Sequence, residues 1–429
     1  MRRLASALTL AAAALLSACA PAHQAPVRSI AAAPEAAAEQ RKPVTVLVSI
    51  DGFRPDYLDR GLTPTLSSLA AEGVRAPIQP SFPSKTFPNH WTLVTGVVPD
   101  VHGITANRIE DPARPEEVFT MATVDPWWWN AAKPVWVEAE EAGIRTAVMF
   151  WPGSAVAWGG TMPESGWGSP EGGRYPQDWQ QFSMAVSNVQ RVNTVLDWLR
   201  RPAEIRPAFV TLYFDTVDTA GHVGGPDSAE LNAALRDIDG DIAMLVEGLE
   251  RLGQPANLVI VSDHGMAATS SARVIALDEM LDPTLYRLVE SGAYATFQPT
   301  EGSVEALEAA LLREHPHMEC WRKGEMPARF DYGTHARIPP YLCLPETGWT
   351  IAPTRREGEW TGGSHGYDPA APEMAALFVA HGPAFRQGVR IPGFKNTVVA
   401  PLLRELMGLP QAASALTPVR GALDDNAQR

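Results

Sequence analysis

Cysteine is scarce in this chain: three residues in 429, at Cys19, Cys320 and Cys343. No CxxC pair and no Cys/His finger spacing occurs, which excludes a thiolate metal module and a disulfide-dense scaffold. Long basic runs are also missing. Lys and Arg number 35 against 49 Asp and Glu, for a net charge of -14. A protein that coats nucleic acid does not fit that balance, and no specific nucleic-acid partner is expected. An anionic substrate would have to be drawn in locally, by metal ions or helix ends, against an unfavourable overall field. The apolar run at residues 4–16 is too short to span a bilayer as a mature helix. Internal repeats are absent. What remains is an ordinary globular composition, 45% hydrophobic and 20% charged, with room for one large domain or one domain plus an insertion.

Residues 1–18 read as a targeting segment, with Arg2 and Arg3 ahead of the short apolar run. The run ends Leu16-Ser17-Ala18-Cys19, which resembles a bacterial lipobox. The resemblance implies cleavage before Cys19 and lipid on its thiol. An ordinary secretory peptide with an incidental cysteine is the plainer reading. Either way the protein is expected to be exported. As a lipoprotein it would sit on the periplasmic side of a membrane, the outer one, in a Gram-negative-type bacterium, touching the bilayer only through its anchor. Residues 19–42, rich in Ala, Pro, Glu and Gln, read as a flexible tether. An oxidising compartment permits a disulfide between the remaining Cys320 and Cys343.

From residue 43 strands and helices alternate. Apolar, β-branched runs at 44–50, 146–150, 208–214 and 257–262 read as strands, the first and last buried on both faces. Helical patterns lie at 65–72, 135–142, 187–200 and 228–252. Later come a strand at 375–380 and a helix at 397–407. This is the pattern of an α/β fold, doubly wound around a mostly parallel sheet with helices on both faces. It covers 43–292 and 362–410. Residues 293–361 read as a small α+β insertion, with strands at 294–297, 318–322 and 341–344 and a helix at 304–314. A Cys320–Cys343 bond would staple two of those strands. Residues 411–429 are expected to lack order.

Acidic residues follow three strand ends: Asp51, Asp215 or Asp218, and Asp263. In open parallel sheets ligands bind beyond the carboxyl ends of strands. Histidines join them: His222 four residues after Asp218 in a tight loop, His264 next to Asp263, and His365 between Ser364 and Gly366. Each is also explained by a turn or a solvated loop. Together, carboxylates and imidazoles without thiolate suit catalytic zinc. Six such donors suit two ions, the arrangement that clamps an in-line phosphoryl displacement. Thr86, in Lys85-Thr86-Phe87-Pro88-Asn89-His90, stands at the expected start of a helix, because Pro88 fits early helical positions. A hydroxyl there is a simple N-cap, or a nucleophile among free N–H groups.

The motifs now carry a resemblance. Ile50-Asp51-Gly52, the Lys85 to His90 segment, Thr95-Gly96, His102-Gly103-Ile104 with Asn107, Trp151-Pro152-Gly153, Asp218 with Gly221-His222, Ser262-Asp263-His264-Gly265-Met266 and His365-Gly366-Tyr367 occur in this order. So arranged, the chain resembles the nucleotide pyrophosphatase/phosphodiesterase family of the alkaline phosphatase superfamily, in its bacterial single-domain lipoprotein form. The resemblance implies Thr86 as nucleophile. It implies one zinc on Asp51, Asp263, His264 and Thr86, a second on Asp218, His222 and His365, and Asn107 donating to a phosphoryl oxygen. It further implies hydrolysis of nucleotide-type phosphodiesters through a threonyl-phosphate. Asp215 stands where the family commonly has Glu-x-Pro, and is the alternative ligand.

Phe87 and Tyr175 are the candidate substrate-binding aromatics, able to sandwich a base, although Tyr175 also reads as plain surface loop. The Trp127-Trp128-Trp129 and Trp167 segments would line the cleft or pack. Aromatics of this kind suit lipid head groups as well as nucleosides. A phosphate monoesterase would want more cations than Lys85 beside the nucleophile. A sulfatase would want a Cys/Ser-x-Pro-x-Arg segment, which is missing near Thr86. A surface binding lipoprotein that had lost its chemistry would lack a ligand or the nucleophile, and none is lacking.

Overall fold

The computed structural model describes residues 39–165 and 168–424. The targeting segment, Cys19, residues 20–38 of the tether, Trp167 and the last five residues lie outside them. Among the described residues no helix is long and apolar enough to cross a membrane. The compact unit runs from Arg41 onward.

Its centre is β1 (Val44–Ile50), buried at all seven positions, as its continuous apolar run requires of a strand covered on both faces. Helix α1 (Pro64–Glu72) and strand β2 (Val74–Gln79) follow, then α2 (Thr86–Thr95), α3 (Val135–Glu141), β3 (Thr146–Met149) and β4 (Asp178–Gln180). Next come α4 (Asn188–Arg200), β5 (Phe209–Phe214), α5 (Thr216–Gly224), α6 (Ala229–Arg251) and β6 (Ala256–Val261). The unit closes with β7 (Ala376–His381) and α7 (Val399–Met407). The sheet order is β2-β7-β6-β1-β5-β3-β4. Strands β6, β1, β5, β3 and β4 are parallel to one another, and β7 is antiparallel to both β6 and β2.

Period-two alternation in the strands divides the interior into two cores. Leu47, Val148, Val259 and Phe378 face α2, α3 and α7 through Trp91, Trp136 and Leu402. Val46, Val48, Leu212 and Ile260 face α1, α4 and α6 through Leu69, Val195 and Ile242. The result is three layers with helices on both faces, in agreement with the expected class. Strand β2 was not anticipated because Pro77 interrupts its apolar pattern. Outside β2 lie only two dipeptide strands, Val389–Arg390 against Val74 and Arg75, and Phe394–Lys395 against Ile78 and Gln79. Pro77 falls in the gap between them, where its missing N–H costs no ladder bond.

Three boundaries need correction. Asp218 and His222 stand on a helix, α5, not in a tight loop. The small α+β region starts before residue 293. Tyr286–Glu290 is an edge strand of its four-stranded antiparallel sheet, followed in space by Ala295–Pro299, Tyr341–Pro345 and Met318–Arg322. That sheet shares a core with Leu277, Leu281 and helix residues Leu307 and Leu311. Residues 411–424 of the tail are ordered. Ala413–Ala422 forms a 3-10 helix, and Leu416, Val419, Ala422 and Leu423 are buried in the same core as α7. Their near three-residue spacing places them on one face.

Cys320 and Cys343 face each other on paired strands and are disulfide-bonded. A bridge across 23 residues contributes about 3 kcal/mol, mainly by restricting the unfolded chain.

Candidate active site

Register brings the chemistry together. Ile50 pairs with Phe214, and Ser49 with Val261, so β1, β5 and β6 end at one level. Asp51, α5 and Asp263 emerge side by side. Gly52 makes the turn after β1 with φ +70°, and a Cβ there would lie 3.0 Å from the Asp218 Cα. Only glycine allows that conformation and that approach without strain. The Tyr213 hydroxyl donates to Asp51 Oδ2 at 2.7 Å, and the Gly52 N–H to Asp263 Oδ1 at 3.3 Å.

The other oxygens receive no hydrogen bond. Asp51 Oδ1, Asp263 Oδ2 and Asp218 Oδ1 are buried with no hydrogen-bond donor. Asp263 Oδ2 and Asp51 Oδ1 instead lie 2.9 Å and 3.4 Å from His264 Nε2. The other nitrogen of that ring, Nδ1, faces the Gly265 carbonyl at 2.9 Å. In the neutral ring Nδ1 therefore carries the proton and Nε2 is a lone pair. Burial, and after it the charges of Asp263 and Asp218, pushes the Asp51 carboxyl well above the usual range. Burial and Asp218 do the same to Asp263. Acceptors packed together without donors are the reverse of a satisfied polar core. They fit a bound cation, and carboxylate plus imidazole fits zinc.

A second set adjoins the first. On α5 the i,i+4 spacing puts Asp218 and His222 on one face, Oδ2 to Nε2 3.4 Å. The His222 Nδ1–H donates to the Gly363 carbonyl at 2.9 Å, and the His365 Nδ1–H to the Ser84 carbonyl at 2.8 Å. A Cβ on Gly363 would lie 2.4 Å from the Gly221 carbonyl oxygen, so that close packing of strand on helix also demands glycine. With both Nδ1 protons committed, the two Nε2 lone pairs face each other 3.1 Å apart. Burial, with His264, Lys85 and His222 nearby, holds His365 neutral far below its ordinary value. Lone pairs in that position repel unless a cation lies between them, and carbonyl acceptors behind the rings are the usual support for metal-binding histidines. Asp51, Asp263 and His264 form one group of donors within 4.8 Å of one another, and Asp218, His264 and His365 another. The His264 and His365 rings stack at 3.5 Å.

Thr86 is the first residue of α2, after an extended Lys85, with its Oγ1 3.4 Å from His264 Nε2. The Phe87 N–H donates to Asn107 Oδ1 at 3.0 Å, which leaves the Asn107 amide NH2 to donate outward. His90 keys the helix to the sheet: its Nδ1–H donates to the Thr86 carbonyl at 2.8 Å, and its Nε2 lies 2.8 Å from Ser49 Oγ. Burial drops its pKa to about 3, so the ring stays neutral.

The other expected residues have different surroundings. Phe87 is 1% exposed, enclosed by Phe119, Trp129 and Phe182. Its ring is part of the wall and offers no open face to a base. Tyr175 is half-buried and stacks on Trp179. Trp128 and Trp129 pack in the core. Asp215 accepts from the buried Arg191 at 2.7 Å, an ion pair that removes it from the ligand set. The supporting roles of Tyr213, Ser49 and Gly363 had no local signature. Each depends on which distant segment lies alongside.

Fold and site together define a hydrolase with an alkaline phosphatase-like architecture. A family model for type I phosphodiesterase/nucleotide pyrophosphatase matches residues 45–368, and the chain belongs to that family, whose members hydrolyse phosphodiester and pyrophosphate bonds. It is 35% identical over 385 residues to an uncharacterized pyrophosphatase/phosphodiesterase of Schizosaccharomyces pombe, covering 85% of this chain and 77% of that one. It is 36% identical over 372 residues to a bis(5'-adenosyl)-triphosphatase of Xenopus laevis, covering 86% and 78%. Among solved structures, murine ectonucleotide pyrophosphatase/phosphodiesterase 5, an inactive Thr-to-Ala variant in complex with AMP, superposes with a TM-score of 0.81 at 32% identity. That match covers 89% of this chain and all of that one.

Proposed function

We propose that this protein hydrolyses nucleotide-type phosphodiesters and pyrophosphates through a threonyl-phosphate on Thr86. Asp51, Asp263 and His264 would hold one zinc ion beside Thr86, and Asp218, His222 and His365 a second. The observation that carries this reading is the convergence of buried, donorless carboxylate oxygens and imidazole lone pairs on one hydroxyl at a helix start. The relatives' named activities and the AMP complex support the nucleotide part.

Zinc in these sets would supply Lewis-acid charge to the attacking, leaving and phosphoryl oxygens. The chain's own residues do the rest. Thr86 Oγ1 attacks phosphorus in line, its bond to phosphorus forms, and the ester or anhydride oxygen departs. The Asn107 amide and the Thr86 N–H at the start of α2 stabilise charge on the equatorial oxygens, where preorganised donors act. Water then attacks from the opposite side, freeing Thr86 and a nucleoside monophosphate. A side-by-side rate comparison tests the substrate class. The nitrophenyl ester of a nucleoside monophosphate should turn over at least about tenfold faster than p-nitrophenyl phosphate or glycerophosphocholine. A preference for either of the others would move the enzyme to monoesters or lipid head groups.

The proposal also places the enzyme on the periplasmic side of a membrane, held by lipid on Cys19. Cys19→Ser is expected to move it from the membrane to the soluble fraction. Unchanged fractionation would refute the anchor.

A further inference from the structure

One of the places where the α+β region meets the catalytic unit is the segment that carries Asn107. Residues 103–108 form neither helix nor strand. Nothing regular holds them, yet the Asn107 amide has to stand beside the start of α2. The loop at 332–337 supplies the hold. The Tyr332 hydroxyl donates to the Thr105 carbonyl at 3.1 Å, two residues before Asn107. Arg337 donates through Nη1 to the Gly103 carbonyl at 2.7 Å and to the Trp128 carbonyl at 2.8 Å. Its Nε donates to Asp111 Oδ2, also at 2.7 Å, four residues after Asn107. Asp100 ties the same loop down by accepting from the Gly333 and Thr334 N–H groups. Arg337 and Asp111 are both under a tenth exposed, and the guanidinium lies over Trp127 and Trp128.

A buried guanidinium that commits Nε to an ion pair and Nη1 to two carbonyls is a rigid clamp, because it is held in several directions at once. Both of its grips bracket Asn107. We propose that Tyr332 and Arg337 are positioning residues: the α+β region acts on catalysis by holding the 103–111 segment, so that the Asn107 amide points at the phosphoryl oxygen. This inference rests on Asn107 being that donor. It matters because a misplacement of about 1 Å in such a group costs on the order of 10²-fold in rate.

The test uses the full-length zinc enzyme and the nitrophenyl ester of a nucleoside monophosphate. Asn107→Ala is expected to lower kcat by about 10–1000-fold. Arg337→Met is expected to lower kcat by about 10–100-fold with KM changed by less than about threefold. In the Asn107→Ala background the same Arg337→Met change should cost no more than about twofold, because the group it positions is gone. Full kcat in Arg337→Met, or losses that multiply in the double variant, would overturn the inference. If Asn107→Ala itself keeps full kcat, the donor reading of Asn107 falls, and the inference with it. Should Arg337→Met fail to fold, Tyr332→Phe decides by the same cycle. It keeps the ring and removes only the bond to Thr105, with an expected loss of about 2–5-fold that vanishes without Asn107.

Discussion

Thr86→Ala is expected to abolish diester hydrolysis, by at least about 10³-fold in kcat, while leaving the fold and the metal content intact. Thr86 is 7% exposed, and among the described residues its Oγ1 has a single hydrogen-bonding neighbour, His264 Nε2 at 3.4 Å. Removing the hydroxyl therefore orphans no structural partner. The helix start survives, because the His90 bond is to the backbone carbonyl of Thr86. Near-normal turnover of a nitrophenyl nucleotide ester by this variant would show that another group attacks. Retained zinc together with lost turnover is the result that separates a nucleophile from a structural cap.

Metal removal should have an effect of similar size. About two zinc ions per chain are expected by elemental analysis, and stripping them should end turnover. A content of one, or mainly calcium, would refute the paired site. Stability should report the same thing through pH. Burial raises Asp51 and Asp263 above the unfolded value near 3.8 in the metal-free chain, helped by Asp263 and Asp218 for the first and by Asp218 for the second. Between that value and their raised values the folded state binds more protons than the unfolded one, so folding stability falls as pH rises. The metal-free protein should thus melt at lower temperature as pH climbs through this window. Zinc should reverse the trend, adding about 4 kcal/mol for each site filled at a thousand times its dissociation constant. Melting curves that are flat with pH and indifferent to zinc would contradict a cation in this cluster.

Much of this was legible in the sequence because it is local. A β-branched run buried on both faces followed by Asp-Gly, or an apolar strand followed by Ser-Asp-His-Gly, states both a strand and what its end carries. Other features are legible only in three dimensions. The Asp218 to His222 segment reads as a loop because Gly221 and β-branched Thr219 weaken helix propensity, yet packing against the strand at Thr361–Ser364 stabilises the helix. Phe87 reads as a base platform from its place beside Thr86, but which face it shows depends on Phe119, Trp129 and Phe182, all far away in sequence. The tail reads as polar and small, and its few apolar residues matter only because α7 leaves a surface for them.

The order of the strands has a kinetic meaning as well. Tyr213 meets Asp51 across 162 residues, Gly52 meets Asp263 across 211, and Ser84 meets His365 across 281. Contacts of such separation make folding slow and leave little scope for partial success. Five of the six proposed metal donors are in the chain by His264, but the sixth arrives only at His365, after the whole α+β region. The proposed centre thus cannot be complete until most of the chain has been made.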